Sequence, residues 1–188
     1  MDGNAATATS HVGILADLAS DHARMRSLFA DILATTEKER CKELFLELQA
    51  LVTTHATLEE RYLYPAFKAA APTQQERWMF HQVTEEHDAA DLTLQKARKA
   101  GYATEAFFGK LCALRDMVEK HAAEEEVELF PLCAEHLGPA RLEEMGAKAR
   151  ECRERLERKG RSRRGANATR RKTARKARGR RLLTMRNR

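Results

Sequence analysis

The chain is poor in the residues that interrupt helices: nine glycines and four prolines in 188 residues. With Ala, Leu, Glu, Arg and Lys abundant, that shortage disfavours strand-rich and turn-rich architectures and favours helices. No run of about 18 apolar residues is present, so no membrane-spanning helix is expected. The opening stretch MDGNAATATSHVG has neither a basic start nor an apolar centre, and no secretory signal is expected there. Cys41, Cys112, Cys133 and Cys152 are far apart and form no CxxC. That excludes a zinc knuckle and a disulfide-stapled secreted scaffold, and it fits a reducing cytoplasm. Acidic residues are absent from 158–188, where 15 Lys or Arg stand. Residues 1–157 therefore hold 19 basic side chains (34 less 15) against 28 acidic ones, a net of −9. An acidic body carries a strongly basic tail.

What the chain does have is a histidine pattern that occurs twice. His22 is followed 33 residues later by His55 with Glu59; His87 is followed 34 residues later by His121 with Glu125. The two units are offset by 65 to 66 residues. Each member falls within an apolar stripe of helical period. Leu15, Leu18, His22, Met25, Phe29 and Ile32 step by three and four, as do Leu44, Leu48, Leu51, His55, Leu58 and Tyr62. Phe80, Val83, His87, Ala90 and Leu94 make a third stripe, and Phe107, Leu111, Leu114, Val118, His121 and Glu125 a fourth.

Breakers separate the stripes. Thr35 and Thr36 before Glu37 and Glu39 read as a cap for the second helix, and Pro72-Thr73 ends the alanine-rich stretch after it. Gly101 closes the third segment and Thr104 can cap the fourth. Pro65 and Pro131, each six residues after the paired glutamate, should kink or end helices two and four. Gly138-Pro139 opens a short fifth helix, about 140 to 157, beyond which the tail cannot bury enough apolar surface to fold alone. Short connections imply an up-down-up-down antiparallel four-helix bundle. The expected organisation is all-α: a disordered N-terminus over 1–10, the bundle over 11–135, a helix over 136–157 and a disordered basic tail over 158–188.

Side chains at i and i+4 of a helix stand on one face, so His55 with Glu59 and His121 with Glu125 can both aim at the bundle axis. His22 and His87 enter from the other two helices. Four imidazoles and two carboxylates can hold two cations roughly 3.5 Å apart, with the carboxylates bridging. That donor set suits two iron ions, with manganese or zinc as substitutes. Burying six such groups without a metal would be costly. Two carboxylates leave the cluster net positive, which favours binding a small ligand or modest redox change over attack on a strong C–H bond.

These residues resemble the hemerythrin-like (HHE cation-binding) family. The likeness lies in SDHARMRSLF from Ser20 to Phe29, HATLEERYLYP from His55 to Pro65, the pair Glu86-His87, and HAAEEEVELFP from His121 to Pro131. It covers about residues 11–135. It implies a four-helix bundle around a non-haem, oxo- or hydroxo-bridged di-iron centre. Members of the family bind dioxygen reversibly, sense oxygen or iron, or handle nitric oxide and peroxide. The chain departs from oxygen-carrying members in lacking a His-x-x-x-His on the third helix: four before His87 stands Val83, and four after it Asp91. Asp91 is then a substitute ligand or a surface group. Glu124 and Glu126 flank Glu125, which leaves the bridging residue open by one position; Glu60 and Glu126 read as outer or surface partners rather than ligands. Tyr62 is a core residue or a hydrogen-bond donor to the cluster. His11 and His136 receive no role.

The implied function is binding or sensing of dioxygen, nitric oxide or peroxide, or iron handling, rather than enzymatic turnover. Two alternatives stand beside it: a nucleic-acid-associated regulatory protein using the basic tail with the bundle as sensor, and a peroxidase-like redox enzyme. The tail has no aromatic residue, so any contact with nucleic acid would be to phosphates and nonspecific.

Overall fold

The computed structural model describes residues 11–186, with side chains described through Gly160 and at Ser162, and among these residues it is entirely helical. The expectation for residues 1–10 falls outside them. Helix α1 spans Ile14–Leu33 and α2 spans Lys38–Leu58. A π turn over Glu59–Leu63 leads into the short α3, Tyr64–Ala70. Helix α4 covers Gln74–Ala100 and α5 covers Glu105–Glu124; a second π turn, Glu125–Leu129, opens into α6, Phe130–Arg186. Two compact units divide the chain, Met1–Ala149 and Arg150–Arg188. The second consists, among its described residues, of the C-terminal part of α6.

The first unit is built on α1, α2, α4 and α5. Helix α1 packs on α2 and α5, and α4 packs on α5 and α2. The apolar stripes read from the sequence are the faces turned inward. Leu28, Phe29, Ile32, Phe45, Leu48, Leu94, Phe107, Leu111 and Leu114 are all under 5 % exposed and form the core at one end of the histidines. Burial of large side chains of this kind contributes about 1.5–3 kcal/mol each before the cost of ordering the chain. Gly13 enters α1 with φ +57, and a Cβ there would sit 2.2 Å from the Leu142 carbonyl oxygen, so only glycine fits.

Helix ends follow local chemistry. Thr73 and Glu76 form a reciprocal capping box at α4, and Thr104 accepts from the Phe107 amide at 3.1 Å. Gly101, at φ 85, closes α4. Three expectations need correction. The cap residue of α2 is Glu37, not a threonine; Thr35 instead accepts from the Glu37 amide at 3.3 Å. Pro65 and Pro131, expected to kink or end helices two and four, do not stop the helical run: α2 and α5 pass into π turns just before them, which widen the backbone where a proline ring would otherwise clash with the carbonyl four residues back. Gly138 does break the run, with φ 73 and ψ 161, but the helix after it reaches Arg186 instead of stopping near 157 before a disordered tail. Arg, Lys and Ala are strong helix formers, and their local propensity favours helix whether or not the segment reads as able to form a core.

Candidate metal centre

The π turns decide which side chains face the axis. Each inserts one residue into the helical register: the Tyr64 amide donates to the Glu59 carbonyl and the Phe130 amide to the Glu125 carbonyl, five residues back. The inward series becomes His55, Glu59, Tyr64 in the first half and His121, Glu125, Phe130 in the second. All six are buried. Sequence periodicity at 3.6 residues pointed to Tyr62 instead. Tyr62 is half-buried under the Arg61 guanidinium, and Tyr64 takes the position at the centre.

All six residues expected to converge do so. His22 and His55 face each other Nε2 to Nε2 at 3.1 Å, and His87 and His121 do the same at 3.2 Å. Glu59 spans the pairs: its Oε1 lies 3.2 Å from His55 Nε2 and its Oε2 3.3 Å from His87 Nε2. Glu125 Oε2 lies 3.4 Å from His22 Nε2 and 3.5 Å from His121 Nε2. Two donor clusters result: His22, His55, Glu59 and Glu125, and Glu59, His87 and His121. Glu59 is common to both.

These spacings fit a shared cation. Two ligand atoms about 2.1 Å from one ion are roughly 3.0 Å apart at a right angle and roughly 3.4 Å apart at the tetrahedral angle. The observed donor separations cover that interval. Glu59 Oε1, Glu59 Oε2 and Glu125 Oε2 are buried acceptors with no hydrogen-bond donor. Buried carboxylate oxygens without a hydrogen-bond donor among the described residues are expensive, and a cation between them and the imidazoles would offset that expense more fully than the neighbouring imidazoles do.

Behind each ring a carboxylate fixes the imidazole. His22 Nδ1 donates to Glu126 Oε1 at 2.9 Å, and His87 Nδ1 to Glu60 Oε1 at 2.9 Å. His121 Nδ1 donates to Glu86 Oε2 at 2.8 Å, and His55 Nδ1 to Asp21 Oδ2 at 3.4 Å. Every Nδ1 is thereby occupied outward and every Nε2 is left to point inward, the arrangement that orients metal-binding histidines. This resolves the register around Glu125. Glu126 braces His22 from outside the cluster, and Glu124 pairs with Lys120 on the surface. Asp91 is exposed and accepts from Gln95 at 2.7 Å, so it is a surface group. His136 pairs with Glu76, away from the cluster, and His11 lies edge-on to Phe130. The braces Asp21, Glu60, Glu86 and Glu126 were legible only as acids next to histidines or glutamates.

Charge is strongly coupled here. Burial pushes the His55 imidazole toward its neutral form. Glu59, the bond to Asp21 and nearby Glu125 outweigh it and bring its pKa up to about 10. Burial alone would raise the Glu59 carboxyl, yet His55 and His87 hold it well below the ordinary range. Tyr64 donates to Glu125 Oε1 at 2.7 Å and sits 3.3 Å from His87 Nε2. Burial and the two glutamates push its phenol well above the usual value, so it remains a donor. Burial, and then Glu125 and Glu59, push the Cys133 thiol up.

A cavity of about 30 Å³ opens beside the four histidines, lined by Met25, Val52, Ala56, Ala90, Met117 and Val118. Its walls are apolar apart from the imidazoles and Glu86.

Fold and donor set together define a helical cation-binding domain. The family of the hemerythrin HHE cation-binding domain matches residues 13–106, half of the chain, and the chain belongs to that family. The match ends before His121 and Glu125, so the second half of the site rests on its own geometry. A crystal structure of a hemerythrin HHE cation-binding domain-containing protein from Mycobacterium kansasii is similar at 25 % identity and a TM-score of 0.64, over 74 % of this chain and 83 % of that one. None of the curated proteins matches. Among the described residues no helix is long and apolar enough to cross a membrane.

Proposed function

We propose that this protein holds a pair of iron ions in an antiparallel up-down-up-down bundle and uses them to bind or sense a small ligand: dioxygen, nitric oxide or peroxide. The observation that carries the reading is the set of three donorless buried carboxylate oxygens facing four inward Nε2 atoms. His22, His55, Glu59 and Glu125 would hold one ion, and Glu59, His87 and His121 the other. Iron in this donor set supplies a one-electron redox change and a coordination position for an exogenous ligand; manganese or zinc would fit the same atoms.

The chain's own residues set the rest. The cavity beside the histidines is small and mostly apolar, which supports binding and sensing of a small ligand. Met25, Val52 and Val118 keep bulk water from the site, while Tyr64 keeps a proton on Oη beside Glu125. Four free cysteines fit a reducing compartment and a cytoplasmic location.

Metal analysis of the full chain purified from iron-replete cells tests this reading. Two irons per chain are expected, with near-ultraviolet absorption that changes on adding nitric oxide, dioxygen or peroxide. Folded protein that takes up no iron overturns the metal assignment. Two bound irons whose spectrum responds to none of the three ligands overturn the proposed use.

A further inference from the structure

Beyond the metal centre, and independent of it, we propose that residues 158–186 form a helical arm that binds duplex DNA through its phosphates. Three observations carry this. The first is charge: 158–188 holds 15 Lys or Arg and no acid, and eight of the cations are packed into Arg170, Arg171, Lys172, Arg175, Lys176, Arg178, Arg180 and Arg181. Pairing with all nine excess negative charges of residues 1–157 would still leave the net +6 of the whole chain. Many acids of the body are moreover engaged already with its own cations, among them Glu39 with Lys42, Glu144 with Lys148, and Glu86 and Glu124 with Lys120.

The second observation is the backbone, which is helical across this segment. Twelve helical residues extend about 18 Å, and a DNA duplex presents about ten phosphates along the same axial length. Eight cations over 170–181 match that linear charge density.

The third is the distribution of the charges. Stepping about 100° per residue, the eight basic positions fall on every side of the helix, with no gap wider than about 80°. Leu182, Leu183 and Met185 fall among the cations on the same wheel, with basic positions between them, and make no apolar stripe. A helix lying on a bilayer touches it with one face and needs an apolar one. A helix in a groove has a wall of phosphates on each side, and the DNA major groove is about 12 Å wide and admits one. Charge all round the rod is useful there and wasted on a flat surface. The deep, narrow major groove of duplex RNA excludes such an entry. The contacts proposed are to phosphates, which fix position without reading the bases.

Anisotropy of a labelled mixed-sequence duplex DNA of about 20 base pairs, titrated with the full chain, tests the proposal. Affinity should fall by at least about 100-fold between about 50 and about 200 mM KCl and vary little with sequence. Replacing the eight cations of 170–181 by Gln, which keeps the helix propensity, should weaken binding by about 100-fold or more at low salt. Circular dichroism melting and metal content of that variant should match the native chain, which separates this test from that of the metal centre. No binding by the native chain at about 50 mM salt overturns the proposal, as does equal binding by the Gln variant. Stronger binding to vesicles containing phosphatidylserine than to DNA assigns the arm to membranes instead. Equal affinity for a duplex RNA of the same length overturns the entry into the groove.

Discussion

Asp21-His22 on α1 and Glu86-His87 on α4 occupy corresponding places, as do His55 and His121, Glu59 and Glu125, and Glu60 and Glu126. The halves part company one helical turn further on, where the first has Tyr64 and the second Phe130. Tyr64 leans over His87 with ring centroids 5.6 Å apart and hydrogen-bonds to Glu125, whereas Phe130 lies parallel to His22 at 6.0 Å and donates nothing. The braces differ too. Glu126 is 29 % exposed with Arg26 beside it, and Glu60 is 48 % exposed. Atoms that would touch an ion are thus duplicated, while those around them are not. A symmetric cage can hold two ions in unequal surroundings.

The largest effect expected tests the symmetric part. Glu59→Ala and Glu125→Ala each remove an oxygen that serves both halves, so each should cut metal content to a small fraction of native and lower the melting temperature of the metal-loaded chain. Elemental analysis and calorimetry read this. Retention of both ions by one variant and loss by the other would show that the two bridges are not equivalent.

Next come the braces. Glu126→Gln and Glu60→Gln should each weaken metal affinity by about 10- to 100-fold. Glu126→Gln should do so more, because its bond to His22 is better shielded from solvent. Competition against a chelator of known affinity measures both; equal losses would mean that shielding does not matter.

Smaller still is the effect of the phenol. Tyr64→Phe makes the halves alike and leaves Glu125 Oε1 without its donor, a loss of about 1–3 kcal/mol in urea unfolding of the metal-free chain. Mössbauer spectra of iron-loaded protein should resolve two environments in the native chain and move toward one in this variant. Two unchanged environments would place the inequality elsewhere.

The smallest effect lies away from the centre, at the N-terminus of α4. Hydrogen bonds from Thr73 and then His136 hold the Glu76 carboxyl down to about 2. Its folded pKa lies below the ordinary 4.5, so its contribution to stability is complete above 4.5 and disappears as pH falls through about 2. Thr73→Ala should cost about 1 kcal/mol at neutral pH and flatten that acid limb. Thr104→Ala, a cap without a partner glutamate, should cost a similar amount and leave the limb unchanged. Urea midpoints followed from neutral to acid pH compare the two.

Much of this was readable from spacing. Histidines at 22, 55, 87 and 121 lie within apolar stripes, and a stripe of period 3.6 faces a core, so convergence of the four rings followed directly. Glu59 and Glu125 followed from the one-turn offset. Beyond them the period changes. A π turn adds a residue without altering composition, and the 3.6-residue pattern then selects Tyr62 where the backbone presents Tyr64. The braces were legible only in part: Glu60 and Glu126 read as outer or surface groups, but the histidines they grip lie 27 and 104 residues away, on helices whose rotation about their axes no single-segment pattern reveals. The extent of α6 escaped because composition measures whether a segment can form a core, not whether it can be helical.

One consequence follows from where the braces come from. The ring on α1 is steadied by the turn that ends α5, and the ring on α4 by the turn that ends α2. Neither helical hairpin grips its own leading histidine. Sliding one hairpin past the other by a single turn, about 5.4 Å, would unlatch both of those rings at once, so metal retention doubles as a gauge of hairpin alignment.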